Sequence, residues 1–174
     1  MSARWPESLK SGAHAGAPLQ ITSRPTHRGI RLRKRTQARG CALQILYQID
    51  LTGDTVNTVL DRFWADTEHD SEVRDFATQI VRGTSENLAE IDAIIIEYSQ
   101  HWELGRMPAI DRNILRFATY ELLYRDDIPR KVVINEAVEI ANAFSTPESG
   151  KFVNGVLDKL MERRPESWVD LVDQ

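Results

Sequence analysis

The sequence predicts an all-α protein, a single compact domain of about seven helices. Three observations favour this fold class. Apolar residues recur with helical spacing in seven segments, no segment shows the period-two alternation of a half-buried strand, and short Gly-, Pro- or acid-containing stretches separate the segments. A chain of 174 residues is long enough for one domain with a substantial core.

The first predicted helix begins at Ala38 and grows out of a basic run that starts at Arg28. Its apolar stripe follows the spacing i, i+4, i+7, i+8 and i+11 and consists of Ala38, Ala42, Ile45, Leu46 and Ile49. Gly53-Asp54 is expected to close the helix. Tyr47 and Leu51 lie four residues apart and away from the stripe, so they are either ordinary exposed side chains or a second surface that faces a partner.

Three more helices are predicted before residue 100. Their apolar positions are Val56, Val59, Leu60, Phe63 and Trp64; Val73, Phe76, Ala77 and Ile80; and Leu88, Ile91, Ile94, Ile95 and Tyr98. The β-branched run Ile94–Ile96 could suggest a strand, but helical spacing continues over three turns and favours a helix. Gly83 is expected to end the third helix, because Gly is unfavourable in a helix interior.

The last three predicted helices follow a break at Met107-Pro108. Their apolar positions are Ile110, Ile114, Phe117, Ala118 and Leu122; Ile134, Ala137, Val138, Ala141 and Phe144; and Val153, Val156, Leu157 and Leu160. Asp127 and Pro129 fit the start of the sixth helix, as a capping acid and an early proline. Gly155 in the seventh predicts close approach to a neighbouring element.

Charge divides the chain into a basic arm and an acidic body. Residues 1–40 hold nine Lys/Arg and a single acid, whereas the rest hold 13 bases and 25 acids, for a net charge of −4. This asymmetry predicts a polyanionic partner at one end, with a merely solvated charge run as the alternative. Pro, Gly and Ser indicate a flexible leader over residues 1–27, followed by a helical domain over 28–165 and a tail over 166–174.

Few residues suggest catalysis. The four histidines are scattered without ligand spacing, so no metal site is predicted, and no phosphate loop or dinucleotide fingerprint indicates a cofactor. Cys41 is expected to be a small buried hydrophobe, and no segment is apolar enough to span a membrane. We therefore expect a soluble, non-enzymatic protein of the cytoplasm.

Two acids, Asp111 and Glu121, point into the apolar arc of the fifth helix. They could form a paired-carboxylate site. A structural role is favoured instead for Glu121, paired with an arginine, because an unpaired buried carboxylate is costly. The first turn of a helix favours an anion and is often exposed, so Asp111 stays open.

Lys151 and Phe152 adjoin at the start of the seventh helix. Such a pair offers a phosphate contact and a stacking face, the combination used on single-stranded nucleic acid. The alternative is that Phe152 belongs to the core at the edge of its apolar stripe.

Several strings resemble the NusB family of bacterial transcription antitermination factors. They are residues 39–47 (RGCALQILY), 110–116 (IDRNILR), 120–122 (YEL), 134–141 (INEAVEIA) and 151–158 (KFVNGVLD). Their order and separations match as well, over roughly residues 28–162. The resemblance implies a seven-helix, non-enzymatic protein that binds single-stranded boxA RNA in leaders of ribosomal RNA operons. The implied partners are a small-subunit ribosomal protein, NusE, and an antitermination complex on RNA polymerase.

The resemblance also implies residue roles. The positions expected to face RNA are Arg31, Arg33, Lys34, Arg35, Arg39, Gln44, Glu148, Lys151 and Phe152. Those expected to face the ribosomal protein are Tyr47, Leu51 and Asp111. In this sequence Thr36 and Gln37 interrupt the arginine cluster, so individual phosphate partners are not assigned.

Three other possibilities stay open at this stage. A similar helical domain occurs at the N-terminus of some ribosomal RNA cytosine methyltransferases, although this sequence shows no cofactor-binding α/β domain. A helical scaffold that binds only protein is the second. The third is self-association into a homodimer through the surface that would otherwise meet RNA.

Overall fold

A computed structural model describes residues 27–66, 68–100, 102–146 and 148–162, with side chains from Lys34 onward. Within these ranges the chain forms seven α-helices and no strand, which confirms the predicted fold class. The helices are α1 (His27–Thr52), α2 (Val56–Ala65), α3 (Ser71–Glu86), α4 (Leu88–Tyr98), α5 (Ala109–Tyr124), α6 (Arg130–Phe144) and α7 (Ser149–Glu162). Apart from His27, the predicted leader and tail lie outside the described residues, as do the side chains of Arg31 and Arg33.

Helix α1 begins earlier than predicted. It starts at His27 rather than Ala38, because the basic run is itself rich in Arg and Lys, which are good helix formers. Its predicted end is confirmed. Gly53 follows with a φ of 71°, the left-handed conformation that glycine adopts without strain, and its N–H donates to the Ile49 carbonyl at 2.9 Å.

Helix α5 is the centre of the fold. It packs against α1, α3, α4, α6 and α7, and most of its residues are buried. Polar contacts show that α1 and α5 run antiparallel, because Asp50 near the end of α1 meets Arg112 near the start of α5, whereas Arg39 meets Glu121 near its end. Within the described residues no helix is long and apolar enough to cross a bilayer.

The predicted break at Gly83 is wrong. Helix α3 continues through Gly83 to Glu86, and Asn87 then closes it by donating from its side-chain amide to the Gly83 carbonyl at 2.8 Å. A Cβ at position 83 would overlap the phenol ring of Tyr120. The glycine is therefore needed for close packing of α3 on α5. The cost is the extra conformational entropy that glycine loses in a helix interior.

Two predictions about local chain geometry are also wrong. Nothing lies within 4 Å of a Cβ built on Gly155, whereas one built on Gly150 would overlap the Asn142 side chain, so the close approach occurs five residues earlier. Asp127 does not cap α6, because Pro129 precedes that helix without a side-chain cap. Asp127 instead accepts hydrogen bonds from Arg125 at 2.8 and 3.1 Å.

Candidate nucleic-acid interface

Arg39 does not lie on the surface, so the expected contact with RNA is corrected. The residue is 1% exposed, and its guanidinium donates to both carboxylate oxygens of Glu121 at 2.9 Å. A third contact reaches Glu136 at 3.4 Å. A fully buried arginine must be paired, and the acidic partners are supplied by α5 and α6. The prediction that Glu121 pairs with an arginine is confirmed.

The Arg39–Glu121 pair is a structural element of the core. Burial raises the pKa of the Glu121 carboxyl, and the hydrogen bonds from Arg39 oppose that rise. Two in-plane N–H groups on two carboxylate oxygens favour the ionised pair, so we treat both side chains as charged.

One helical turn earlier, Lys34 and Arg35 reach the surface. The Lys34 ammonium lies 2.9 Å from Asp70 and 3.1 Å from Glu72, both at the start of α3. The Arg35 guanidinium lies 3.7 Å from the Asp127 carboxylate. These pairs are solvent-accessible and therefore weak, so a phosphate can compete for both cations.

Phe76 on α3 anchors this basic end of α1. Three guanidinium groups lie within 5.4 Å of its ring centroid: Arg35 at 5.1 Å, Arg39 at 5.4 Å and Arg125 at 5.2 Å. Cations over an aromatic face are attracted by its quadrupole. This contact holds the Arg35 guanidinium over the ring while part of the side chain remains exposed.

The opposite end of α1 carries the residues expected to meet the ribosomal protein. Tyr47 is half-buried and Leu51 is 52% exposed. Between them, Asp50 accepts hydrogen bonds from Arg112 at 2.7 and 3.0 Å and joins this edge to the start of α5. Gln44 lies between the two ends of the helix and is half-buried.

Asp50 is the acceptor of a larger charged network. It also binds the Asn113 amide at 2.9 Å and the Arg116 guanidinium at 3.0 Å, and Arg116 in turn binds Asp92 of α4. Burial raises the pKa of Asp50, but the hydrogen bonds from Arg112, Arg116 and Asn113 outweigh burial and hold that pKa below its ordinary value. The network ties α1, α4 and α5 together.

Asp111 is likewise not exposed, which corrects its expected role as a direct partner contact. It is 3% exposed, and its Oδ2 accepts a 2.9 Å hydrogen bond from the Ser149 hydroxyl at the start of α7. That hydroxyl also lies 2.8 Å from the Ser145 hydroxyl and 3.0 Å from that of Thr146. Asp111 therefore fixes the beginning of α7, where Lys151 and Phe152 follow.

The start of α7 presents both predicted RNA-facing residues. Lys151 is exposed, and Phe152 is half-buried and packs against the core. Glu148 is exposed, and its carbonyl accepts the Phe152 N–H at 3.0 Å. Sequence reasoning missed Trp102, which is 51% exposed with its ring centroid 5.6 Å from that of Phe152. Its residue type was the only signal, since neither periodicity nor charge points to it.

The fold does not bring the two basic regions into contact. Lys34 and Arg35 lie beside the end of α5, whereas Ser149 anchors α7 to its start through Asp111. At 1.5 Å per residue, the 14 positions between Asp111 and Arg125 span about 20 Å. A ligand that touches both regions must therefore be extended.

Cys41 is confirmed as a buried hydrophobe. Burial raises the pKa of its thiol to about 12, so the reactive thiolate is suppressed. Its Sγ lies 3.7 Å from Nε2 of His69, and burial lowers the pKa of that imidazole.

The geometry defines a class of protein: an all-α domain with a core fixed by ion pairs, whose surface includes the cations Lys34, Arg35 and Lys151 and the partly exposed rings of Trp102 and Phe152. The comparisons make this specific. The NusB family model matches residues 36–162, and the chain belongs to the NusB family.

Individual relatives agree over most of the chain. The transcription antitermination protein NusB of Anaeromyxobacter dehalogenans is 47% identical over 133 residues, covering 76% of this chain and 93% of the relative. The NusB structure of T. maritima is 38% identical, with a TM-score of 0.69, and covers 78% of this chain and 96% of that one. A chain from a structure of NusB and NusE in complex with dsRNA has the same fold, with a TM-score of 0.66 at 24% identity, 76% of this chain being covered and 98% of that one.

Proposed function

We propose that this protein is a transcription antitermination factor that binds boxA-type leader RNA of ribosomal RNA operons together with NusE. The observation that carries the proposal is the family match over residues 36–162, which lies inside the predicted domain, residues 28–165. Relatives at 47% identity are antitermination proteins by name. Acting on nascent transcripts, the protein would work in the cytoplasm, in a complex on RNA polymerase.

The surface chemistry supports RNA capture without catalysis. The partly exposed Lys34 and Arg35 and the exposed Lys151 supply cations for phosphates, and Phe152 supplies a ring for a base. Because the two basic regions lie about 20 Å apart along α5, we propose that RNA follows α1 past Gln44 in an extended conformation. A regulatory binding role of this kind needs no active site, and we propose that the protein is not an enzyme.

We propose that NusE binds the edge formed by Tyr47 and Leu51. The exposed Leu51 side chain is the apolar centre of this edge, and Asp50 links it to α5. Asp111 would influence this partner indirectly, through Ser149 and the start of α7.

A binding titration tests the proposal. Fluorescence anisotropy of labelled RNA compares a boxA-like sequence with a base-scrambled sequence of equal length, each with the protein alone and with NusE added. We expect tighter binding of the boxA-like RNA and a further gain from NusE. Equal affinity for both sequences in the presence of NusE would contradict the proposal, and no RNA binding under either condition would favour a protein-only scaffold.

Two matched substitutions distinguish a local contact between Lys151 and RNA from a general effect of net charge. Lys151→Gln should make the negative slope of log K against log salt shallower by about 0.7, the value for one phosphate contact on a single strand. Arg62→Gln is the matched control, because Arg62 lies on α2 and pairs with Asp54 at 3.2 Å. An equal change of slope in both variants would show that the effect is not local.

A further inference from the structure

A shallow cleft runs between α7 and the turn that follows α4. Its two sides meet at two places: Tyr98 and Gln100 face Lys159, and Trp102 faces Phe152. At one end, the Trp102 and Phe152 rings lie 5.6 Å apart with an interplanar angle of 43°. At the other end, a groove of about 220 Å³ is lined by Glu97, Tyr98, Gln100 and Lys159.

The face of α7 in this cleft has an unusual floor. Phe152, Gly155 and Lys159 are spaced i, i+3 and i+7, so they share one side of the helix. Gly155 is exposed, and no atom lies within 4 Å of a Cβ built there. Glycine is unfavourable in a helix interior, and the described fold gives no packing reason for it. The glycine leaves open space between an aromatic pair and a lysine.

The opposite wall is held by an uncommon backbone conformation. Gln100 has a φ of 61°, a left-handed conformation that residues other than glycine seldom adopt. The preceding Ser99 N–H donates to the Ile95 carbonyl at 2.9 Å and closes α4. Trp102 lies two positions after Gln100 along the chain, and its indole is 51% exposed although a large apolar side chain gains free energy by burial.

We propose that this cleft binds single-stranded RNA, with a base stacked on Trp102 and Phe152 and the strand crossing Gly155 toward Lys159. The inference rests on the proposed function and extends its RNA site beyond Lys151. Exposed aromatic faces flanked by cations are the features that bind unpaired nucleotides. Lys151 and Lys159 lie at the two ends of the floor. Of the nearby acids, Glu103 pairs with Arg106 at 2.9 Å, and Glu97 lines the groove beside Lys159.

The first test compares substitutions at Trp102 in the full-length protein. The probe is a 5′-labelled boxA-like RNA titrated with protein alone and with NusE. Trp102→Ala should weaken RNA binding about 10-fold, because one base loses its stacking partner. Trp102→Phe should restore most of the affinity, since it keeps an aromatic face. Ile96→Ala, which truncates an exposed apolar residue of α4, should bind RNA as the wild type does.

The second test separates RNA binding from folding. Gly155→Gln places a better helix former on the floor of the cleft, so it should raise the Tm and yet weaken RNA binding. If Gly155→Gln binds RNA with wild-type affinity, the RNA strand does not cross this floor.

The outcomes distinguish the inference from the proposed function. If wild type binds no RNA, both fail. If Phe152→Ala weakens RNA binding while Trp102→Ala does not, the cleft is not part of the RNA site although the proposed function stands. If Trp102→Ala lowers affinity for NusE and leaves RNA binding unchanged, the cleft is a protein site, and the inference is overturned.

Discussion

Arg35 and Arg39 lie one helical turn apart on α1 and have opposite environments. Arg39 is inside the protein, with two hydrogen bonds to Glu121 at 2.9 Å, whereas Arg35 lies at the edge, 3.7 Å from Asp127 and over the ring of Phe76. Both belong to one basic run in the sequence. The comparison teaches that one run of arginines can lie partly on the surface and partly in the core.

The difference arises from what each side chain meets. Arg39 faces α5 and α6, which supply Glu121 and Glu136. The buried guanidinium is paired with both carboxylates. Arg35 points to the acidic rim formed by the loop before α6. Removing one member of a buried pair leaves an uncompensated charge, whereas removing one member of an exposed pair leaves a hydrated one.

The largest expected effect is on stability. Glu121→Ala should lower the free energy of unfolding by about 3–5 kcal/mol, because Arg39 remains buried without its main partner. Arg35→Ala should cost less than about 1 kcal/mol, as is usual for an exposed ion pair. Urea unfolding followed by circular dichroism measures both. Similar losses of unfolding free energy in the two variants would contradict the assignment of Arg39 to the core and Arg35 to the surface.

A pair of glycines gives the next largest effect. Gly83→Ala should destabilise the protein by about 1–3 kcal/mol, because the new methyl group overlaps the Tyr120 ring. Gly155→Ala should stabilise it by up to about 1 kcal/mol, since its Cβ meets nothing and alanine favours a helix. Thermal unfolding reports both changes, and a stabilising Gly83→Ala would refute the packing account of α3 on α5.

Acid should weaken the network at the other end of α1. The folded-state pKa of Asp50 is lowered, so its contribution to stability is present above the unfolded value near 3.8 and is lost as the pH falls through the folded value. Asp50→Asn should reduce the loss of stability as the pH falls from 5 through the folded-state pKa of Asp50. Urea midpoints across this range test it, and an unchanged pH dependence would show that Asp50 is not a principal titrating group.

The smallest expected effect concerns the acids beside Lys34. Asp70→Asn with Glu72→Gln frees an ammonium that now lies 2.9 and 3.1 Å from carboxylates. We expect RNA binding to tighten about threefold, in line with the modest strength of exposed pairs. Asp61→Asn with Asp66→Asn, two exposed acids on and after α2, is the charge-matched control. Equal gains in both double variants would indicate only a change in net charge.

The helices could be predicted because their signal is local. The stripe Ala38, Ala42, Ile45, Leu46 and Ile49 depends on spacing within one helix, and the structure buries all of it at least in part. The break assigned to Gly83 failed because a ring 37 positions away in the sequence explains that glycine, and a local rule cannot include it.

The site was only partly predictable, for the same physical reason. Lys151 and Phe152 stand out in the sequence because the two residue types adjoin, and their contact with RNA stays a prediction. The burial of Arg39 depends on Glu121, 82 positions later, and that of Asp111 on Ser149, 38 positions later. The exposure of Trp102 follows from the turn after α4, which no spacing rule describes.

The central claim is that Arg39 belongs to the core and Arg35 to the RNA surface. Replacing the buried pair by apolar residues, Arg39→Met with Glu121→Leu, should leave a folded protein, because such exchanges are often neutral. The most direct measurement is the salt dependence of its RNA binding beside that of Arg35→Gln. We predict that the apolar double variant keeps the wild-type slope of log K against log salt. Arg35→Gln should make that negative slope shallower by about 0.7. A shallower slope in the double variant, with an unchanged slope in Arg35→Gln, would contradict the account.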